Sequence, residues 1–309
     1  MRDWRRYRNG NYMVYINLED GTKIRVLDKD EETFKPEFPE GCDILISTKC
    51  DKGCPFCYAG CTPDGKHGKL PSWRETITPV TPCNFMFEPY TEVSINVNSP
   101  FHPQLEEFLT FIKVKDVIVN MTINQDYFIE NAKTIWSWQL AGLVKGVGVS
   151  YTGRHDDLPY LMNESPNRVL HVIEGILTKE DHEYLKQFAP KLLILGYKYK
   201  QRGRSYIHTH KDEVTKNSSW LRRHLKEVIE SYPVISFDNS ALEHLNVKQT
   251  IGDELFEKVY MGDEGEFTFA MDLVNGVFAR SSQDFDFMSK PMGYLTPTEM
   301  FQEVQHELV

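Results

Sequence analysis

The chain of 309 residues reads as an α/β protein built on a parallel sheet, and three observations lead there. Between residues 42 and 237, short β-rich runs alternate with runs of helical period, which is the pattern of βαβ units. The units number six or seven, short of the eight in a closed barrel. A cysteine loop, Cys50-Asp51-Lys52-Gly53-Cys54-Pro55-Phe56-Cys57, follows the first β-rich run. It therefore leaves the carboxyl end of a strand, where α/β folds place their chemistry.

The elements follow in order. Tyr12–Asn17 and Lys23–Leu27 are β-rich with Asp20-Gly21 between them. That predicts an N-terminal β-hairpin extension over residues 1–41, covering a sheet edge. Cys42-Asp43-Ile44-Leu45-Ile46-Ser47 is the first buried strand. Val93, Ile95 and Val97 alternate as the second, and Leu105, Phe108, Leu109 and Ile112 recur at helical spacing. Residues 117–121 are the third strand, followed by the helical stripe Phe128, Ala132, Ile135 and Trp136. Residues 147–151, 169–173 and 192–195 are strands again. Thr178 with Asp181 opens a helix through a capping box. Leu221, Leu225, Val228 and Tyr232 mark another helix, and residues 234–237 are one more strand. This core spans 42–240. Residues 241–309 hold a hairpin signal, Asn275-Gly276, and a helix opened by Thr296-Pro297-Thr298-Glu299. They predict a hairpin-helix cap on the barrel.

A net charge of −10 argues against a passive polyanion binder. It leaves nucleic-acid contact through a local patch open. All six cysteines lie between Cys42 and Cys83, unlike a disulfide framework spread along a secreted chain. No apolar run reaches the roughly 18 residues of a membrane span. The N-terminal residues lack the apolar core of a signal peptide. These features predict a cytoplasmic protein with reduced thiols and no membrane partner.

Three thiolates this close in sequence can share one soft metal centre. The Cys-x3-Cys-x2-Cys spacing, Phe56 just before the third cysteine, and the strand ahead of them resemble the radical S-adenosylmethionine superfamily. The resemblance implies a partial (β/α)6 TIM-like barrel and a 4Fe–4S cluster held by Cys50, Cys54 and Cys57. It implies S-adenosyl-L-methionine on the iron that lacks a protein ligand. It also implies one-electron cleavage of that cofactor to a 5′-deoxyadenosyl radical. The partners it implies are a small-molecule or peptide substrate and an external reductant such as flavodoxin or ferredoxin.

Further positions take roles from the same resemblance. Phe56 and Gly196 fall where adenine is held. Asn98 and Ser99 stand where relatives carry a Gly-Gly-Glu-Pro run for the methionyl amine. The glycines and the glutamate are absent here, and the alternative is an ordinary strand-to-helix turn. Ser150 matches a ribose or carboxylate contact. Asn124, Gln125, Tyr151, Arg154 and Lys198 are candidates at the barrel mouth; for Asn124 a helix cap is the competing reading, and for Arg154 an exposed loop residue. Lys198 opens a basic run to Arg204 that suits a phosphate, a nucleotide or merely solvent. Cys42 and Cys83 read as packed thiols. Two other classes stay in play. Cys61 as a fourth ligand gives an iron–sulfur electron-transfer or sensing protein, and a single zinc gives an interaction module.

Overall fold

The computed structural model describes residues 3–71, 85–165 and 167–306. Cys83 lies outside them. The N-terminal segment is a three-stranded antiparallel sheet of β1 (Trp4–Asn9), β2 (Tyr12–Asn17) and β3 (Lys23–Leu27). The expected hairpin is β2–β3. The extra strand, Trp4-Arg5-Arg6-Tyr7-Arg8-Asn9, is too charged to announce itself by hydropathy. It pairs with β2 through the turn at Gly10, whose φ of +60° favours glycine.

The main sheet runs through β4 (Gly41–Leu45), β5 (Glu92–Val97), β6 (Ile118–Asn124), β7 (Gly146–Ser150), β8 (Arg168–Ile173), β9 (Lys191–Leu195) and β10 (Ile235–Phe237). These seven strands are parallel neighbours in chain order. Helix α1 (Leu105–Lys113) follows β5; α2 (Gln125–Glu130) and α3 (Ala132–Leu140) follow β6. Then α4 (Leu158–Asn163) follows β7, and α5 (Lys179–Leu185) follows β8. After β9 come α6 (Gln201–Arg223), kinked at His210, and α7 (Leu225–Glu230). After β10 come α8 (Asn239–His244), α9 (Val247–Ile251) and α10 (Asp253–Val259).

The hairpin expected to cap the barrel extends its sheet instead. β11 (Thr268–Asp272) lies parallel to β4, and β12 (Val277–Ala279) and β13 (Lys290–Pro291) continue antiparallel beyond it. Asn275-Gly276 does make the β11–β12 turn, but no sequence signal says which edge the hairpin joins. α11 (Pro297–Gln305) closes the chain with the expected capping box and buries Met300, Phe301 and Val304.

Alternation within the strands divides the sheet into two unlike faces. Cys42, Ile44, Val93, Ile95, Val119, Met121, Val147, Val149, Leu170, Val172, Leu192 and Ile194 join one apolar core under the helices. Burying each such side chain is worth about 1.5–3 kcal/mol. The other face, which looks into the lumen, carries Asp43, Ser94, Asn96, Asn120, Thr122, Ser150 and His171. A closed barrel fills its centre with branched apolar residues; here polar groups over β4 to β8 share the inner register with Leu45, Val169, Ile173, Leu193 and Leu195.

Glu40 joins the small sheet to the barrel. It is 1% exposed, accepts a hydrogen bond from Tyr12 at 2.7 Å, and pairs with Arg25 at 2.8 Å and Lys23 at 3.3 Å. Its backbone nitrogen donates to Phe267 and its carbonyl accepts from Glu92. Burial opposes its charge, but Lys23, Arg25 and Tyr12 outweigh burial and hold the carboxyl below its ordinary value. A depressed folded value supplies stability above the unfolded value of 4.5, and that stability disappears as pH falls through the folded value. Glu40→Gln should therefore lower stability at pH 7 by about 3–5 kcal/mol, since it leaves the buried Arg25 without its carboxylate, while Lys23 keeps Glu92 at 2.7 Å. The loss relative to wild type should shrink below pH 4, as measured by urea unfolding.

Candidate active site

The cysteine loop springs from β4 and is pinned at several points. Ser47 and His67 form a bridge, as do Lys49 and Thr62. The Cys50 nitrogen donates to the Thr62 carbonyl at 2.8 Å, and the Asp51 nitrogen to the Ser99 carbonyl at 3.0 Å. The loop doubles back so tightly at Gly65 that a Cβ there would sit 2.1 Å from the Thr48 oxygen. Lys52 ties its outer edge to Glu130 of α2 at 2.8 Å.

Helix α6 packs its first turn on this loop. Gly203 lies against the Lys198 carbonyl, where a Cβ would come within 2.4 Å, and Phe56 meets Tyr206 edge-on at 5.9 Å. The basic run thus becomes the start of a helix, with Arg202 near the thiols. Cys61 is 4% exposed, and its sulfur lies 3.5 Å from the Asn98 amide nitrogen. The neighbouring Cys61 holds Cys57 far below the ordinary thiol range against the effect of burial, with help from backbone donors and Arg202. The neighbouring Cys57, with burial, pushes Cys61 up. Burial and the neighbouring Cys57 and Cys50 push Cys54 up.

Three thiolates form a soft donor set, of the kind that iron–sulfur clusters and zinc both accept. Among the described residues, the group of three ligating side chains with atoms all within 4.8 Å is His182, Glu183 and Glu227, not the cysteines. A tetrahedral zinc with Zn–S of about 2.3 Å needs sulfurs only about 3.8 Å apart. The three cysteines share one loop yet stand wider than that.

The other predicted positions separate into two sets. Asn98 donates to the Ser47 carbonyl at 2.7 Å and to the Cys61 sulfur at 3.5 Å. Asn124 caps α2 through its oxygen and points its amide at the Cys54 sulfur, 3.7 Å away. Ser99 is buried beside the loop. Ser150 and Lys198 face the lumen. Lys198 lies under the loop, its ammonium 4.4 Å from the Tyr58 ring centre. Burial works against its charge, but Tyr58, Asp238, Asp43 and Glu264 outweigh that and raise it.

Four candidates are engaged elsewhere. Gln125 bonds to Gly153 and Thr152 and fastens that loop. Tyr151 donates to Asp181 at 2.9 Å, and Arg154 to the Glu180 carbonyl at 2.7 Å, both outside the lumen. Gly196 donates to Asp238 at 2.8 Å, and its bare Cα admits α8; a Cβ would lie 2.5 Å from that of Ser240.

Two lumen residues escaped the motif reading. Asp43 is reached by solvent and yet surrounded by protein, because the lumen is hollow. Burial raises its carboxyl, Lys198 lowers it and Glu264 raises it further. His171 lies across Gly148, where a Cβ would come within 2.1 Å of its ring. Burial pushes this histidine down to about 4, so the ring is neutral at pH 7. The available signal was alternation: in β4 and β8, Asp43 and His171 take the inward register.

Gly148→Ala should destabilise the protein by about 1–3 kcal/mol through overpacking. In Gly148→Ala/His171→Ala most of that coupling should vanish, as read by a double-mutant cycle in urea.

No family model and no curated protein matches the chain. Among solved structures, it is similar to Streptococcus suis SuiB, determined bound to S-adenosylmethionine. The similarity has a TM-score of 0.54 at 11% identity and covers 90% of this chain and 81% of that one. What the two chains share is a fold: the open, mostly parallel α/β sheet with its flanking helices.

Proposed function

We propose that this protein is a radical S-adenosylmethionine enzyme. The observation that carries the reading is the three-cysteine loop at the carboxyl end of the first strand of an open parallel barrel, directly above a polar lumen. Bound by Cys50, Cys54 and Cys57, a 4Fe–4S cluster with one open iron would chelate S-adenosylmethionine and, given an electron, supply a 5′-deoxyadenosyl radical for hydrogen abstraction.

The chain's own residues do the positioning. Asn124 directs its amide at Cys54, and Asn98 directs its own at the neighbouring Cys61. Such outer hydrogen bonds orient ligands and tune a metal centre. Arg202 favours the thiolate form of Cys57. Phe56 sits between loop and α6, at the roof of the lumen. Ser150 and Lys198 face the space beneath, where the substrate, a peptide or nucleotide-type small molecule, meets the cofactor. An external one-electron donor such as flavodoxin or ferredoxin supplies the electron.

In this reading Cys61 is a neutral supporting thiol, not a fourth ligand. Its burial supports that assignment. Anaerobic protein with reconstituted iron and sulfide should convert S-adenosylmethionine and dithionite to 5′-deoxyadenosine, measured by liquid chromatography. Alanine at Cys50, Cys54 or Cys57 should reduce both iron content and product to background. Cys61→Ala should keep its iron and its brown colour. Colourless, zinc-loaded protein after anaerobic purification would overturn the assignment.

A further inference from the structure

The barrel sheet has two ends, β10 and β13, which do not pair with each other. Across that seam runs the connection 280–289, between β12 and β13. Among the described residues, its side chains reach the far edge of the sheet at two places. Gln283 donates to the Ser240 hydroxyl at 3.2 Å, at the start of α8. Asp286 pairs with Lys200 at 3.6 Å, and the same ammonium lies 4.7 Å from the Phe287 ring centre. Lys200 is the N-cap residue of α6, whose first turn packs on the cysteine loop, with Gln201 against Gly60. A tether on Lys200 therefore bears on that loop as well as on the seam.

The connection is built as a unit, and buried Asp284 ties it together. Its carboxylate accepts from the Ser281 hydroxyl at 3.0 Å and pairs with Arg280 at 3.4 Å. Its backbone nitrogen donates to the Ser281 carbonyl, and its own carbonyl accepts from Phe287 and Met288. Ser289 donates to the Phe285 carbonyl at 2.8 Å. This is the build of a compact loop packed by its own side chains, and such a loop keeps its shape when it moves. Its hold on the rest of the protein is slight. Phe285, Phe287 and Met288 do not join the core, and Phe287 is 66% exposed. One hydrogen bond and one ion pair to an exposed aspartate hold weakly. Segments with few buried apolar contacts are the first to open. Beside the connection lies a cavity of about 1090 Å³, walled by Ser240 on the far side of the seam and by Arg280 at the root of the connection. Ser240 also lies against Gly196 just past the end of β9, so the cavity sits at the carboxyl end of the sheet, as the cysteine loop does.

We propose that residues 280–289 are a lid on the seam: on the enzyme reading above, they swing out about Ala279 and Lys290 to admit S-adenosylmethionine, and close on Ser240 and Lys200 once it is bound. Closure shuts water out of the space in which a radical would form. Weak latching suits that task, because a lid must reopen in every turnover. The Lys200 tether links closure to the first turn of α6, and through it to Phe56 and the cysteine loop.

A covalent lock tests the lid. Gln283→Cys/Ser240→Cys, loaded with iron and sulfide and kept anaerobic, is treated with dibromobimane, which joins two neighbouring thiols by bonds that reductants do not cleave. Wild type and the single variants, treated alike, control for the native cysteines. A bridged peptide pair should appear by mass spectrometry in the double variant alone. The bridged protein should take up radiolabelled S-adenosylmethionine at least about tenfold more slowly than the same variant left unbridged, since a gating motion is blocked. Cofactor bound before bridging should leave more slowly by a similar factor. Asp286→Lys, which sets two cations against each other, should speed release about two- to fivefold, and Lys200→Asp/Asp286→Lys should return it toward the wild-type rate. Absence of the bridge, uptake and release that the bridge leaves unchanged, or release that Asp286→Lys leaves unchanged overturns the lid. If wild-type protein with its cluster binds no S-adenosylmethionine, the enzyme reading falls and the lid's function with it. The bridge is read by mass alone, so the two failures are distinct.

Discussion

The architecture depends on the two-residue period of the parallel strands. Each strand commits its apolar positions to the helix side, where Val93, Ile95, Val119, Met121, Val147 and Val149 merge into one core. The opposite positions are then free to be polar, because nothing packs on them. A barrel with a dry centre is stabilised from both faces of its sheet. This one draws its main core from the outer face and leaves much of the inner face polar, beneath the cysteine loop.

The sequence made the outer face legible and the inner face only in part. Helical and strand periods report burial against helices, and they located β4 to β10 and most of the helices. The cysteine loop was legible because three cysteines in eight residues stand out from packing. Lys198 was singled out through its place after β9. Asp43 and His171 were passed over because each is a single polar residue within an apolar run. Their meaning lies in facing inward from strands distant in sequence, which no local pattern records. The same limit holds just past the strand ends. Gln125, Tyr151 and Arg154 follow the right strands, but a residue just past a strand end can turn either way. Hydrogen bonds to Gly153, Asp181 and Glu180 turned them outward.

Helix α6 illustrates a further limit. Its first residues read as a basic run suited to phosphate, yet they are spent on the cysteine loop. Gly203 allows the approach to Lys198, Tyr206 meets Phe56, and Arg202 acts on the thiols. A charge run on a chain of net charge −10 invites an external partner. Here its partners are internal: Lys198 lies 4.4 Å from the Tyr58 ring centre and Lys200 pairs with Asp286 at 3.6 Å.

The pairing of β11 with β4 bears on how the protein is made. The strand that launches the cysteine loop has two neighbours, β5 and β11, and the second arrives only with Thr268–Asp272. Because of that long separation in sequence, closure of this edge is a late and entropically costly event. During synthesis the cysteines leave the ribosome long before their strand is framed on both sides. A nascent or truncated chain therefore exposes its thiols without the strand that completes the scaffold beneath them.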